Sequence, residues 1–382
     1  MAMIVSVDRL RLAARQTLPR WLFDYLDGGS YSESTLHRNI AALSEWRFVP
    51  QVLGALPQPD VRSSIFGRQQ DVPIVLAPVG MAGMLSPDGE IKAARAAAGQ
   101  GVQACVSHFS IVPIERIVQA VDPDFLAFQL YIFRNRDITR DMVSRAWDCG
   151  IHTLVVTVDT PVTPLRERDA RNGFRNVSRL SGRHIAHMMV RPRWTFRAAR
   201  AKGRTIGNLD RYGMGSNLFA QAATIAREID PHIGWDEIRW LRDTWKGRLV
   251  VKGVMQPDDS AQAGRLGVDA LVLSNHGGRQ LDGAVAAIEL LEDNIKAAGS
   301  VTEILVDGGF RYGTDVVKAV ALGATGVMIG RPYAYGLAAD GEQGVADVLD
   351  YFRQGILSTM TLLGAPDIAA LRDNRDRLLR NL

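Results

Sequence analysis

The sequence predicts an α/β chain folded as a (β/α)8 barrel, with an N-terminal helical segment and a long basic insertion after the fourth strand. Three observations predict it. Short apolar strands alternate with helical patterns between residues 72 and 335. The number of such strands is eight. The residues that end them are polar, at the end where barrels of this kind carry their active sites.

The elements follow in order. "VPIVLAP" precedes the helical "DGEIKAARAAAGQG", "VQACVS" precedes "VPIERIVQAV", and "FLAFQLY" precedes "DITRDMVSRAWDCG". "HTLVVTVD" is the fourth strand, and a long gap over residues 160–235 follows it. "RLVVKG" then precedes "PDDSAQAGRLG", "ALVLSN" precedes "AVAAIELLEDNIKAAG", "EILVDGG" precedes "TDVVKAVALGA", and "GVMIGR" leads into the final helices. The strands are continuous apolar runs, as strands covered on both faces are. Gly150, Gly267 and Gly323 stand at helix ends. A doubly wound open sheet is the alternative, but its G-x-G-x-x-G turn after the first strand is missing.

The 382 residues are 47% apolar and 23% charged, an ordinary globular balance with length for a large core. No apolar run reaches the ~18 residues of a membrane span. The N-terminus does not read as a secretory signal. Cys105 and Cys149 are isolated and form neither a metal spacing nor a disulfide framework, so a reducing, cytoplasmic setting is expected and no metal site. Residues 166 to 204 hold twelve Arg or Lys against two acids, Glu167 and Asp169, although the whole chain carries only +4. Such a block points to a polyanionic surface. It mixes Arg with Met, Trp and Phe, which suits an anionic bilayer. A solvated lid is the plainer reading. Nucleic acid is not expected, because the aromatics follow no recognition module.

The strand ends gather Ser107, Gln129, Tyr131, Thr157, Asp159, Lys252, Ser274, Asn275, His276, Asp307 and Arg331. One polar end is a cap; so many on one mouth suggest a site. "DGGFRYGTD" and "GRP" follow strands seven and eight, the usual phosphate-binding loops of the fold. Glycines there admit an anion to the backbone, and Arg311 and Arg331 add charge. The alternative reading of these loops is a pair of glycine turns with surface arginines. Lys252 is different: a buried ammonium is costly, so it needs an anionic partner.

These motifs resemble a known family. "SNHGGRQLDG", with "VKG", "QLY", "TVDTP" and "DGGFRYGTDVVKAVALGA", resembles the FMN-dependent L-2-hydroxy acid oxidoreductases, the family of glycolate oxidase, flavocytochrome b2 and mandelate dehydrogenase. The likeness runs from "LPRWLFDYLDGGSYSESTLHRN" to about residue 365. "DYLDGGSYSESTLHRN" and "IDPHIGWDEIRWLRDTW" look most like the quinone-linked bacterial L-lactate dehydrogenases. The resemblance implies a single domain over residues 1–382, with residues 160–235 as an insertion that covers the site and docks on a membrane. It implies FMN as cofactor. Pro78, Val79 and Gly80 would face the reactive edge of the flavin. Ser107, Gln129, Thr157, Lys252 and Ser274 would bind the ring and ribityl parts. Asp307, Gly309, Arg311, Gly330 and Arg331 would hold ribityl and phosphate. Tyr25, Tyr131, Arg166 and Arg279 would bind the substrate, and His276 would be the base, paired with Asp159.

The implied chemistry agrees with the residue types. A 2-hydroxy acid brings a carboxylate, which suits bidentate guanidinium groups. Its oxidation needs a proton acceptor, and histidine titrates near neutral pH. A carboxylate behind a histidine orients it and stabilises the imidazolium.

Oxidation of a small L-2-hydroxy acid is therefore expected, L-lactate first and L-mandelate or glycolate as alternatives. The implied electron acceptor is a membrane quinone. The implied setting is the cytoplasmic face of the inner membrane or the cytoplasm, and the implied assembly a homotetramer. Two positions depart from the glycolate oxidase pattern. Phe109 replaces a Trp, which removes a donor and leaves room for an apolar side chain. Gly80 stands where oxidases commonly have Ala. An FMN-dependent isomerase and a non-catalytic flavin-binding protein are the remaining alternatives.

Overall fold

The computed structural model describes residues 6–53, 58–173, 181–201, 203, 205–215, 218–299 and 302–381. Eight parallel strands close into a barrel: β1 (Ile74–Leu76), β2 (Ala104–Val106), β3 (Leu126–Leu130), β4 (Thr153–Thr157), β5 (Arg248–Val254), β6 (Ala270–Leu273), β7 (Glu303–Asp307) and β8 (Gly326–Ile329). Each pairs with its sequence neighbours, and β8 pairs with β1. This is the (β/α)8 architecture read from the alternation of strands and helices. The glycines at 150, 267 and 323 end their helices with φ of 76°, 69° and 104°.

The interior of the barrel is packed, not open. Val75, Cys105, Ala127, Val155, Val250, Val272, Leu305 and Met328 form one buried cluster, joined by Ile65 and Phe66. Those last two sit at the tip of an antiparallel hairpin, Ser63–Ile65 with Arg68–Gln70. Phe66 N donates to Glu303 Oε2 (2.7 Å), at the start of β7, so the hairpin plugs the bottom of the barrel. The opposite, C-terminal mouth stays free for a site.

Two additions frame that mouth. Of the N-terminal helices, Arg20–Asp27 and Ser34–Glu45 reach it through Tyr25 and Asn39, while Val7–Thr17 packs on the C-terminal helix Arg331–Leu363. The insertion between β4 and the helix Trp235–Thr244 contains the helices Glu167–Asn172, Gly182–Met189, Pro192–Arg200 and Leu218–Glu228. Its basic block is thus largely helical. Buried Trp194 anchors it, stacking edge-on against Trp21 (5.8 Å) and donating its Nε1 to Met84 O (2.9 Å). Part of the block, residues 174–180, 202 and 204, lies outside the described residues.

Candidate active site

The β6 strand ends in the turn that starts the site. His276, Gly277 and Gly278 all have positive φ (59°, 63° and 75°), so the chain coils tightly and aims the imidazole at the mouth. For a non-glycine residue this conformation is a stored cost, of the kind found at functional sites. Asn275 holds the turn: its Oδ1 accepts from Gly278 N (3.1 Å), and its amide pairs reciprocally with that of Asn39 (2.9 and 2.8 Å).

His276 Nδ1 lies 3.0 and 3.2 Å from the two carboxylate oxygens of Asp159. Asp159 follows β4, next to the bulge in β5 at Gly253. Gly253 has φ 109°, and a Cβ there would come within 2.6 Å of Asp159 Cβ, so only glycine lets the two chains approach. Burial pushes the Asp159 carboxyl pKa up, but the facing His276 and Lys252 outweigh it and the net shift is downward. An ionised Asp159 keeps the ring proton on Nδ1 and leaves Nε2 as the acceptor. Gln280 Nε2 donates to Asp159 O (2.6 Å) and Val162 O (3.1 Å), which ties the β6 and β4 loops together.

Lys252 is buried, and its Nζ donates to Asp307 Oδ2 (2.6 Å) and Ser274 Oγ (2.7 Å). Burial alone would lower its pKa; Asp307 and Asp159 reverse that, and the net shift is upward. The anionic partner expected from sequence is therefore Asp307, a residue read only as a ribityl ligand. Its other oxygen, Oδ1, is buried with no partner among the described residues.

These groups surround a cavity of ≈ 300 Å³ at the barrel mouth. Tyr25, Pro78, Val79, Gly80, Ser107, Tyr131, Thr157, Arg166, Lys252, His276, Arg279, Asp307, Gly309, Arg311, Gly330 and Arg331 line it. Gln129, Ser274 and Asp159 are not among its lining residues; Ser274 backs Lys252, and Asp159 backs His276. The Ser274 hydroxyl accepts from both Lys252 Nζ and His276 N (2.9 Å). Gln129 Oε1 accepts from the Ser107 hydroxyl and from His108 N.

Two arginines line the cavity together with His276. Arg279 donates to Tyr25 O (2.6 Å) and Gly28 O (3.1 Å), with its guanidinium 5.0 Å from the Tyr25 ring centroid. Arg166 Nη2 lies 3.5 Å from Arg279 O. The Tyr25 hydroxyl donates to Gly80 O (3.3 Å). Burial raises the pKa of both Tyr25 and Tyr131, so both phenols stay protonated at neutral pH. At the other end Arg331 donates to Gly277 O (2.9 Å) and Gly28 O (2.8 Å), and burial brings its pKa down to about 10.

Sequence reasoning passed over several supports. His108 is fully buried beneath Tyr131 and Phe109; its Nδ1 accepts from Tyr131 N (3.1 Å), and burial drives its pKa down to about 3. Asp282, inside the quoted "SNHGGRQLDG", accepts from Ser32 N, the Ser34 hydroxyl and Thr35 N at 2.8 to 3.1 Å. It clips the N-terminal segment to the β6 loop. Of these, only Asp282 had a local sign, its place two residues before a helical run in a polar motif.

The sequence profile of the FMN-dependent dehydrogenases matches residues 14–378. The chain belongs to this family. It is 41% identical over 372 residues to an L-lactate dehydrogenase of Caulobacter vibrioides, covering 97% of each chain. It is 40% identical over 381 residues to one of Allorhizobium ampelinum, covering 99% of this chain and 100% of the relative. Among solved structures, that of the monotopic membrane protein (S)-mandelate dehydrogenase superposes with a TM-score of 0.93 at 36% identity, over 99% of this chain and 100% of the other.

As a member of this family the protein is an FMN-dependent oxidoreductase, and its cavity fits FMN. Buried polar atoms nearly always have partners. Here Thr157 Oγ1, Gln129 Nε2, Asp307 Oδ1 and Arg331 Nε are buried and have none among the described residues. A phosphate, a polyol and a ring with carbonyl and nitrogen edges are the complement of that set.

Proposed function

We propose that this protein oxidises a small L-2-hydroxy acid to the 2-keto acid, with L-lactate the favoured substrate, and passes the electrons to a membrane quinone. The observation that carries the reading is the His276–Asp159 pair at 3.0 Å, facing the same cavity as Arg166 and Arg279. A 2-hydroxy acid presents a carboxylate beside a carbon that must lose both a hydrogen and its electrons. The two guanidinium groups hold the carboxylate. His276 Nε2 takes the proton released in the oxidation, and Asp159 stabilises the resulting imidazolium. The phenols of Tyr25 and Tyr131 donate to the substrate oxygens. FMN, when bound, supplies the acceptor for the two electrons. Lys252 would set its ammonium beside that group, where it favours negative charge. Arg311 and Arg331, with the glycine backbones at 309 and 330, hold its phosphate and ribityl parts, and Thr157 and Gln129 its ring edge.

The relatives named L-lactate dehydrogenase support lactate. One observation favours mandelate as a second reading: Phe109 and Tyr131 stack at 4.8 Å on the wall of a cavity that the apolar Ile206, Ile225 and Ile229 of the insertion also line. An aromatic acid would meet an apolar wall there. Anaerobic addition of L- and D-lactate, (S)- and (R)-mandelate, glycolate and L-malate, watching the flavin bleach, tests the function. Bleaching by L-lactate supports it. A flavin that stays yellow with every acid refutes it.

The membrane part of the proposal rests on the insertion. Ile185, Met189, Val190 and Phe196 are all about half exposed or more, beside exposed Arg183, Arg193, Arg197 and Arg200. Apolar side chains flanked by arginines match an anionic bilayer surface. The solved relative's description as a monotopic membrane protein supports the same placement. No described helix is long and apolar enough to cross a membrane. A homotetramer is part of the same proposal, and sedimentation analysis measures it.

A further inference from the structure

The loops after β1 and β2 meet on the cavity wall, and we infer that Glu90 is the positioning residue that sets the spacing between them and so the size of substrate side chain the site accepts. This rests on the 2-hydroxy acid reading above.

Glu90 lies in the first turn of the helix Gly89–Gly99 and is buried. One of its oxygens, Oε1, accepts from Gly83 N (3.0 Å) and from Ile111 N (2.9 Å). Gly83 belongs to the β1 loop, three residues after Gly80. Ile111 belongs to the β2 loop, two residues after Phe109. A single carboxylate oxygen therefore pins both loops at one point.

The spacing so fixed is tight. Met81 N donates to Phe109 O (2.9 Å), and a Cβ on Gly80 would stand 3.3 Å from Phe109 Cβ. Gly80, Met81 and Phe109 all line the main cavity. The second oxygen of Glu90 has no partner among the described residues, and the residue borders a separate cavity of ≈ 20 Å³ beside Cys105 and Tyr333. That is room for about one water. Burial raises the Glu90 pKa, the cost of placing a carboxyl where only backbone N–H groups answer it. A carboxyl kept there to cap a helix would need only the N–H groups of its own helix. This one reaches across to two loops of the active-site wall.

The test compares Glu90→Gln, whose carbonyl can replace Oε1, with Glu90→Leu, which has no acceptor, and Glu90→Asp, which withdraws it by one methylene. The readouts are the ratio of kcat/KM for (S)-mandelate over L-lactate and the visible circular dichroism of the bound flavin. A methylene's worth of space in a pocket changes selectivity by about tenfold or more. Glu90→Gln is expected to keep the parental ratio within twofold. Glu90→Leu is expected to shift it at least tenfold and to change the flavin dichroism, with Glu90→Asp between them. If Glu90→Leu does not fold, Glu90→Asp decides. A parental ratio and spectrum in the acceptor-free or shortened variant, whatever its melting temperature, would overturn the assignment, as would a Gln variant shifted as far as Leu. A parent that no 2-hydroxy acid bleaches sinks the functional reading instead, and the dichroism then decides on Glu90 alone.

Discussion

Replacing Lys252 with Met should destabilise the flavin-free protein by about 3–5 kcal/mol, the typical cost of leaving one member of a buried ion pair without its partner. Exposure decides the magnitude. An ion pair on the surface is worth about 0–1 kcal/mol. Here the side chains of Lys252 and Asp307 are 5% and 10% exposed and 2.6 Å apart, so the buried case applies. Met fills the volume of the lysine stem, which leaves the lost charge as the main effect. The Asp307 carboxylate then keeps no cation within hydrogen-bond reach among the described residues, and the Ser274 hydroxyl keeps only the His276 N–H. Removing the second charge as well, in Lys252→Met/Asp307→Asn, should recover a large part of the loss.

Urea unfolding of the flavin-free protein, followed by far-ultraviolet circular dichroism, measures all three variants. A single variant within about 1 kcal/mol of the parent, or a double variant no better than the single, would refute the argument, because either result means the ammonium was not holding a buried charge. The pH dependence has a definite sign. The Lys252 pKa is raised in the fold. Its contribution is therefore complete below the unfolded value of about 10.4 and is lost only as pH rises through the higher folded value. The difference between parent and Lys252→Met should stay flat across neutral pH and narrow only in strong alkali.

Three further outcomes are expected. His276→Gln should remain folded and yellow while substrate reduces its flavin roughly 10²–10⁴-fold more slowly, and near-parental reduction in a stopped-flow trace would remove His276 from the base role. Replacing residues 181–201 with a short Gly/Ser linker should move the protein from pelleted anionic vesicles to the supernatant with FMN still bound, and salt should weaken the parent's binding, since each cation at such a surface contributes about 1 kcal/mol; a parent that never pellets rules out the membrane reading. Gly80→Ala should reoxidise faster with oxygen than the parent after photoreduction, because the new methyl presses Phe109 at 3.3 Å beside the cavity; equal or slower reoxidation would place the choice of acceptor elsewhere, in the insertion.

The barrel was legible because its signal is local. Each strand is a short apolar run between turn residues, and "TLVVT" or "ALVL" reads the same whatever surrounds it. The residues around the cavity were legible for a related reason. The fold brings all strand ends to one face, so His276, Lys252, Thr157 and Asp307 needed only their position at a strand end. What sequence did not reveal is how these groups divide their bonds. Asp307 was read as a ligand for a bound group and is also the counter-ion of Lys252. Ser274 was read as facing the cavity and spends its hydroxyl on Lys252 and the His276 N–H. Glu90 and Asn39 left no trace at all, because their partners, Ile111 and Asn275, are distant in sequence and pair only once the mouth is assembled.

That assembly explains why so much chemistry is packed into "SNHGGRQLDG". A barrel strand can hold one or two side chains at its end, but it cannot fix a loop that points into solvent. The β6 loop is fixed from three sides. Lys252 and Ser274 anchor its base inside the barrel, and His276 N donates to that same Ser274 hydroxyl. Asn275 couples it to Asn39 on the helix Ser34–Glu45, and Asp282 takes up the backbone and hydroxyl donors that open that helix. Arg279 closes the circuit by donating to the carbonyls of Tyr25 and Gly28, in the segment just before. The N-terminal segment and the β6 loop therefore hold each other. Tyr25 reaches the cavity on a segment that Arg279 and Asp282 retain, while His276 and Arg279 keep their places on a loop that the segment braces. A substitution at Asp282 or Asn39 touches no reacting atom. Its effect should still appear in substrate binding before it appears in the stability of the barrel, because the bonds it removes lie between the mouth's two halves and not within the sheet.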